Sequence, residues 1–497
     1  MIKKIDYSDL LAYDKILIYG AGAAGTNLLF FLFTRGFDKS KIVVWDKRYD
    51  EIKSKFGFIV SKPNFAHFND VENTIVIIAI YKESLVNELE QEFVNAGYKN
   101  ITAFEKINLI TEKIRIDEFE NKGYTDCAYQ DDIDFSEFKP LVKAIAYYLP
   151  QFHEIPENNE WWGRGFTEWT NTSKAKPKFK GHYQPREPHD DLGYYDLSNV
   201  DIIRKQAEIA KQHGIYGWCI YYYWFSGRKL LEKPIDLLLE NKDIDIDFCL
   251  MWCNESWTKI WVGEHKEELI KCEIKDDDPE KFIDDMKKYT DDKRYIKING
   301  KPLIVIYHIQ NIPNIRDVIH RWRKRALEIG IGEIAVFSTI HPYSATDLGV
   351  QDCFEGETNF SPAKYHVDTI QLEYAQGLVI SNQIYRYADC FELYKSIVES
   401  SSHKTYLSCM CGWDNTPRYN QEYFICDLDF SADNFYNMVK YVTDEALTYN
   451  KDFIFVFAWN EWAEGAYLEP DKRFGYAMLN TFSKAICGIS LDFRKEN

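Results

Sequence analysis

The sequence predicts an α/β protein: a (β/α)8 TIM barrel preceded by a small Rossmann-like doubly wound domain. Three observations lead there. The chain has 497 residues, too many for one ordinary compact domain but enough for a barrel plus a second module. Beyond residue 140, apolar runs of strand length recur eight times with helical runs between most of them, the pattern of parallel β/α units. Near the start, "KILIYGAGAAG" sets a glycine-rich loop directly after a strand.

The first domain is expected over residues 1–110. Residues 15–19 read as a strand, Gly20 to Gly25 as a loop, and the next ten residues as a helix. Strands follow at 41–46, 74–81 and 100–104, with a helix over 84–96. "GAGAAG" satisfies G-x-G-x-x-G in the required context, so Gly20, Gly22 and Gly25 would let backbone N–H groups approach a phosphate. Asp46 ends the next strand and could accept from a ribose. Three readings stay open for this module: an NAD-like dinucleotide, another nucleotide such as a nucleotide sugar, or a structural role. Residues 111–140 read as an acidic linker containing "QDDIDFSEF".

The barrel is expected over 141–490, with strands at 143–148, 217–223, 248–252, 303–307, 334–338, 352–354, 405–411 and 453–457. Barrel chemistry gathers where strands end at their C-terminal side. Those ends are rich in Trp, Tyr, Asn, Asp, Glu and His here. Candidate sugar contacts are Tyr148, Gln151, Trp162, Glu168 and Trp169 from the first end, and Tyr222 and Tyr223 from the second. The third end adds Trp252, Asn254, Glu255 and Trp257, and the eighth adds Asn460 and Trp462. Aromatic faces suit the C–H face of a sugar, and carboxylates and amides suit its hydroxyls.

The eighth end is "FAWNEWAEGAYLEP", with Glu461 and Glu464 three residues apart. On a continuing strand they would point to opposite faces. On a helical turn they share one, as close as glycosyl transfer with retention requires. Trp459 and Trp462 beside them would exclude water and raise one carboxyl's pKa, leaving one group as acid while its partner stays ionised.

Composition removes other classes. A formal charge of -18 opposes a nucleic-acid partner. The 11 cysteines show no zinc spacing and read as reduced, buried thiols. His153, His182 and His189 lack metal-ligand spacing, and neither D-x-D pair, 132–134 or 245–247, falls at the barrel mouth, so no metal is expected. The N-terminus lacks an apolar signal core, and no apolar run reaches the ~18 residues of a membrane span. A cytoplasmic protein with at most peripheral membrane contact is expected. Lys174, Lys176, Lys178, Lys180 and Arg186 form a basic stretch that reads either as a solvated loop or as a holder for a nucleotide-sugar diphosphate.

The stretches "YYLPQFHEIPENNEWWGRGFTEWTN", "GHYQP", "LGYYDL", "YYYWFSGRKLLEKP", "NESW" and "WNEWAEGAYLEP" together resemble the WbsX-type glycosyltransferases. These are relatives of glycoside hydrolase family 99, the endo-α-mannosidase-like barrels. The resemblance runs from about Lys143 to Tyr476. It implies a (β/α)8 fold and a role in building bacterial O-antigen or capsule, with an oligosaccharide or lipid-linked glycan as acceptor. It implies that Glu461 assists a sugar 2-hydroxyl in attacking the anomeric carbon, giving a 1,2-anhydro sugar, while Glu464 is the acid/base. No cofactor is required for that chemistry. The alternatives are a retaining endo-acting glycoside hydrolase using the same pair, a non-catalytic glycan-binding protein, and an oxidoreductase run by the first domain alone.

Overall fold

A computed structural model of the chain describes residues 2–34, 36–55, 58–65, 71–115, 127–259, 264–340, 350–359, 369–373, 379–380, 383–398, 405–419 and 423–492. The chain forms two compact units, residues 1–116 with 365–385, and 117–364 with 386–497.

The first unit is built on a parallel sheet. Its strands lie in the order Phe58–Ser61, Ile42–Trp45, Lys15–Tyr19, Thr74–Ile78, Asn100–Ala103. That order reverses beside Lys15–Tyr19, so a crevice opens there at the carboxyl ends of the strands. The strands are apolar throughout because helices cover both faces. Ile16 and Ile18 pack with Leu28, Phe31 and Leu32 of helix Ala23–Thr34. Leu17 and Tyr19 pack with Val86, Leu89 and Phe93 of helix Glu83–Asn95. The unit runs further than 1–110. Strand Ile110–Arg115 pairs in parallel with Thr369–Glu373, a pairing distant in sequence that no local pattern announces.

The second unit is a closed barrel of eight parallel strands. In order they are Lys143–Tyr148, Ile215–Phe225, Asp247–Trp252, Lys301–Ile306, Ala335–Ile340, Gly356–Asn359, a seventh strand in two pieces, and Phe453–Phe457. Thr405–Tyr406 pairs with the sixth strand, and Ser408–Met410, past Leu407, pairs with the eighth. The eighth pairs with the first, which closes the ring. Side chains alternate between the interior and the surrounding helices. Tyr147 points inward, its ring on Phe455 and its hydroxyl 3.2 Å from Thr358 Oγ1. Its neighbour Tyr148 points outward and donates to Gln206 of helix Val200–Gln212 at 2.8 Å.

Two expectations are corrected in this unit. The sixth strand is not 352–354: Gln351–Cys353 is a single 3-10 turn and the strand begins at Gly356. Glu355 therefore lies at the strand's start, where it accepts the Val336 N–H at 2.9 Å, rather than at the barrel mouth. The described part of the linker, 127–140, packs on the barrel. Gln130 bridges to Gly475, Phe135 is buried, and Asp132 pairs with His213. The end of the fifth strand at His341-Pro342 lies outside the described residues.

Candidate active site

Beyond the eighth strand the chain makes a two-residue strand, Asn460–Glu461, then a 3-10 turn, Trp462–Glu464, closed by Gly465 in the left-handed region at φ 64°. Glu461 caps this turn and Glu464 ends it, and both carboxyls reach Arg418, so the two share one side. A Cβ on Gly465 would meet the Asp414 nitrogen at 2.9 Å and the Arg186 guanidinium at 3.1 Å. Only glycine fits this approach.

One cation joins the acids. Arg418, in the loop after the seventh strand, donates to Glu168 Oε1 at 2.8 Å through Nε and to Glu461 Oε2 at 3.1 Å through Nη2, and it also bonds Glu464 through Nη1. Its surroundings are nearly dry, with 13% of the side chain exposed. Glu461 is buried and its carboxyl titrates well above the ordinary glutamate range. Burial is the main cause and the Glu464 charge adds to it. Arg418 and the Tyr221 hydroxyl pull the other way. The second oxygen of Glu168 is buried without a hydrogen-bond partner.

The turn is braced from beneath. Asn460 exchanges bonds with the Leu149 backbone, accepting at 2.7 Å and donating at 3.0 Å, which ties the first and eighth strand ends. Buried Glu469 accepts from Trp462 Nε1, the Tyr195 hydroxyl and Gln206. Burial pushes its carboxyl up to about 7 against those bonds. Arg186 bonds Asp427 at 2.5 Å and the Gly465 carbonyl at 3.3 Å, and lies 3.6 Å from Asp414. Burial works against charge on both aspartates. At Asp414 the charges and hydrogen bonds of His182, Arg186 and Thr416 overcome it and hold the carboxyl well below its usual range. Burial, with the Asp414 charge added and Arg186 opposing, pushes Asp427 up to about 6. Arg186 is thus committed inside the fold and not offered to a diphosphate. Lys174, Lys176 and Lys180 are exposed.

The predicted contacts divide. Glu168, Glu461 and Glu464 meet at Arg418. Tyr223 joins them: burial raises its phenol, and the charges of Glu461 and Glu168 add to the rise. Trp257 stands half-buried with its ring against Trp161 and Tyr223. Glu255 pairs with His308 at 2.5 Å. Trp162 is half-buried against Phe166. The Gln151 side chain is buried, and its carbonyl accepts the Glu168 N–H that opens helix Glu168–Lys174.

The remaining assignments are corrected. Tyr148 faces the helix layer and packs on Trp218. Tyr222 packs on Phe282 and Tyr289 of helix Asp278–Thr290. Trp252 lies against Phe282 and Trp322 and donates to the Trp224 carbonyl. These three are helix-facing core, since every second strand residue points away from the barrel interior. Asn254 bonds the His308 backbone in both directions and braces the fourth strand end. Asn460 is a brace of the same kind. Trp169 is buried, donates to the Tyr195 carbonyl and lies against Trp462. Trp462 itself is fully buried with Tyr467 stacked on it at 3.8 Å, and Trp459 is also fully buried. Neither offers a face to a sugar. Both dry the turn. Trp261 lies outside the described residues.

Sequence reading missed Arg418, three residues past Asn415 in the loop after the seventh strand, and inward-facing Tyr221. It also missed half-buried Tyr419 at the same cluster: burial raises its phenol, Arg418 opposes, and Glu464 and Glu168 add. The odd-even pattern of "YYYW" could have chosen Tyr221 over Tyr222. Nothing local identifies Arg418. Among the described residues no group of three or more His, Cys, Asp or Glu could hold a metal ion, and no helix is long and apolar enough to cross a membrane.

In the first unit, Gly20 and Gly25 are required by close approach: a Cβ on Gly25 would fall 1.8 Å from the Gly20 carbonyl oxygen, and one on Gly20 2.7 Å from that of Ala79. Asp46 does not stand free for a ribose. Its oxygens accept the Ala21 N–H at 2.7 Å and the Arg48 N–H at 2.8 Å. Burial opposes its charge, but these bonds hold the carboxyl below its usual range.

Acids converging on one guanidinium at the C-terminal mouth of a parallel barrel define a barrel equipped for acid–base chemistry. Residues 144–482 match the family model described as Glycosyltransferase WbsX, and the chain belongs to that family, one of carbohydrate-active enzymes. Two proteins described as Uncharacterized protein WxcX, from two strains of Xanthomonas campestris pv. campestris, are each 36% identical over 349 residues, 69% of this chain and 49% of theirs. The chain thus spans about half the length of the curated relatives it matches. Among solved structures, a glycoside hydrolase family 99 endo-α-mannosidase from Bacteroides thetaiotaomicron is 15% identical, with 68% of this chain and 95% of that one covered at TM-score 0.43. A glycoside hydrolase-like protein is 12% identical, with 72% and 97% covered at TM-score 0.48. At these identities the likeness is one of fold.

Proposed function

We propose that the barrel makes or remodels glycosidic bonds with retention at the anomeric carbon, as a glycosyltransferase of bacterial O-antigen or capsular polysaccharide assembly in the cytoplasm. The observation that carries this is Arg418, whose neighbouring nitrogens meet Glu461 and Glu464. Carboxyls held by one fork fit the ~5–5.5 Å spacing of retention better than the wider gap of inversion.

In this reading Glu461 removes the proton of a sugar 2-hydroxyl, and that oxygen attacks the anomeric carbon. The bond to the leaving oxygen breaks as Glu464 protonates it, leaving a 1,2-anhydro sugar. An acceptor hydroxyl then gives its proton to Glu464 and attacks the same carbon, and the 2-oxygen recovers its proton from Glu461. Burial and the Glu464 charge favour the proton on Glu461, which makes its carboxylate the stronger base of the two once that proton stands on Glu464, the state this reading requires. Arg418 holds both acids in register. Tyr223 and Trp257, half-buried at the mouth, offer faces for a sugar. The acceptor is an oligosaccharide or lipid-linked glycan, and the donor a nucleotide sugar or a glycan.

The test is product analysis after incubation with nucleotide sugars and, separately, with α-mannoside oligosaccharides, for the parent and for Glu464→Gln. Transfer products lost in the variant are expected. Free reducing sugar, lost in the same variant, would make the protein a retaining hydrolase. Glycan binding with no turnover of either kind would leave a binding protein and overturn the catalytic reading.

A further inference from the structure

We propose that the cavity in the first unit binds a single nucleoside phosphate, held at its phosphates by Arg48, Lys47 and the glycine loop. The inference is independent of the barrel's chemistry. The cavity measures about 310 Å³ and lies at the carboxyl ends of the sheet, where the strand order reverses. Ligand pockets span roughly 300–1,000 Å³, so this one has room for a nucleotide.

The lining combines Gly20, Gly22, Lys47 and Arg48 with apolar Ala79, Ile80, Leu85 and the ring of Tyr81. A Cβ on Gly22 would meet only the Arg48 Nη2, at 3.3 Å. The guanidinium therefore lies over a bare stretch of loop, where an anion would meet a charge and backbone N–H groups together. Arg48 is 55% exposed in its side chain and Lys47 is exposed, so both can turn to a ligand. Asp46, the residue a dinucleotide's ribose would need, is 8% exposed and spends its oxygens on the Ala21 and Arg48 N–H groups. Asp46 also lines the cavity and its Oδ1 lies 3.4 Å from Arg48 Nε, so the loop is held in shape by its own acid, and Lys47 and Arg48 against Asp46 leave one net positive charge on the lining. Tyr81, half exposed, is fixed by an Asn27 side chain that donates to its hydroxyl at 3.1 Å. Its ring and Ile80 offer the base an apolar, aromatic rest.

Calorimetric titration of the full chain with UDP, CDP, ADP, GDP, a matching nucleotide sugar, NAD and inorganic pyrophosphate tests this. At least one nucleoside diphosphate should bind saturably at one per chain. Arg48→Ala should weaken it by about tenfold or more, the loss of one charge-assisted contact, with the melting temperature of the unliganded protein unchanged. Glu464→Gln should bind it as the parent does. A nucleotide sugar binding more tightly than its diphosphate identifies the sugar conjugate as the ligand, and equal binding identifies the free nucleotide; either supports the proposal. Four results would overturn it: no nucleoside diphosphate binding at millimolar concentration, pyrophosphate binding as tightly as the nucleotides, NAD binding more tightly than every mononucleotide, or Arg48→Ala without effect.

Discussion

Arg418→Met would leave Glu168, Glu461 and Glu464 without the guanidinium that joins them. Removing one partner of a buried ion pair costs about 3–5 kcal/mol. The denaturation midpoint should fall accordingly, and a variant as stable as the parent would show that the cluster is balanced elsewhere. Glu464→Gln acts on chemistry instead. General acid–base groups contribute roughly 10²–10⁴-fold, so turnover should fall by that factor while glycan affinity, read by calorimetry, stays near the parent's. Unchanged turnover would remove Glu464 from the mechanism. The raised pKa of Glu461 gives a third outcome at this scale. Its folded value lies above its unfolded one. The stability linked to it is therefore complete below the unfolded value and is lost as pH rises through the folded value. The parent's melting temperature should fall, relative to that of Glu461→Gln, between pH 5 and pH 9. Parallel curves would mean that Glu461 titrates normally.

At the scale of elements, strand alternation separates neighbouring tyrosines. Burial raises the Tyr221 phenol, and the charges of Glu461 and Glu464 add to the rise, which places it at the acids. Tyr222 instead lies among the helices. Tyr221→Phe should lower kcat/KM by about tenfold, roughly 1.4 kcal/mol of barrier, and Tyr222→Phe should leave it unchanged. Equal effects would contradict the inward and outward assignment. The turn after the eighth strand depends on groups far away in sequence. Asn460 reaches the Leu149 backbone, and Arg186 reaches Asp427 and the Gly465 carbonyl. The glutamate turn was legible because two acids and a glycine follow an apolar strand within a dozen residues. Its braces were not, because each bonds a residue hundreds of positions off and only the folded barrel brings them together.

For the whole molecule, charge and connectivity set the limits. A formal charge of -18 should keep the protein from heparin resin even at low salt, and retention there would expose a basic face that the totals conceal. The chain crosses between its units more than once: residues 365–385 leave the barrel sequence to join the first unit, where Thr369–Glu373 pairs with Ile110–Arg115. Domain limits drawn from composition at 110 and 140 miss this, since strand pairing over such a separation leaves no periodic trace.

The sequence by itself determined the barrel, the strand, glycine loop and helix that open the first unit, and the nearness of Glu461 to Glu464, because strand runs, turn residues and adjacent acids are local and the backbone obeys them locally. Only the tertiary structure decided which aromatics reach the mouth, that Trp459 and Trp462 are sealed away from it, that Asp46 serves its own loop, and that Arg418 joins three acids. These depend on which face of each strand looks inward and on which distant loops end at the same rim. That is fixed when the barrel closes and not before.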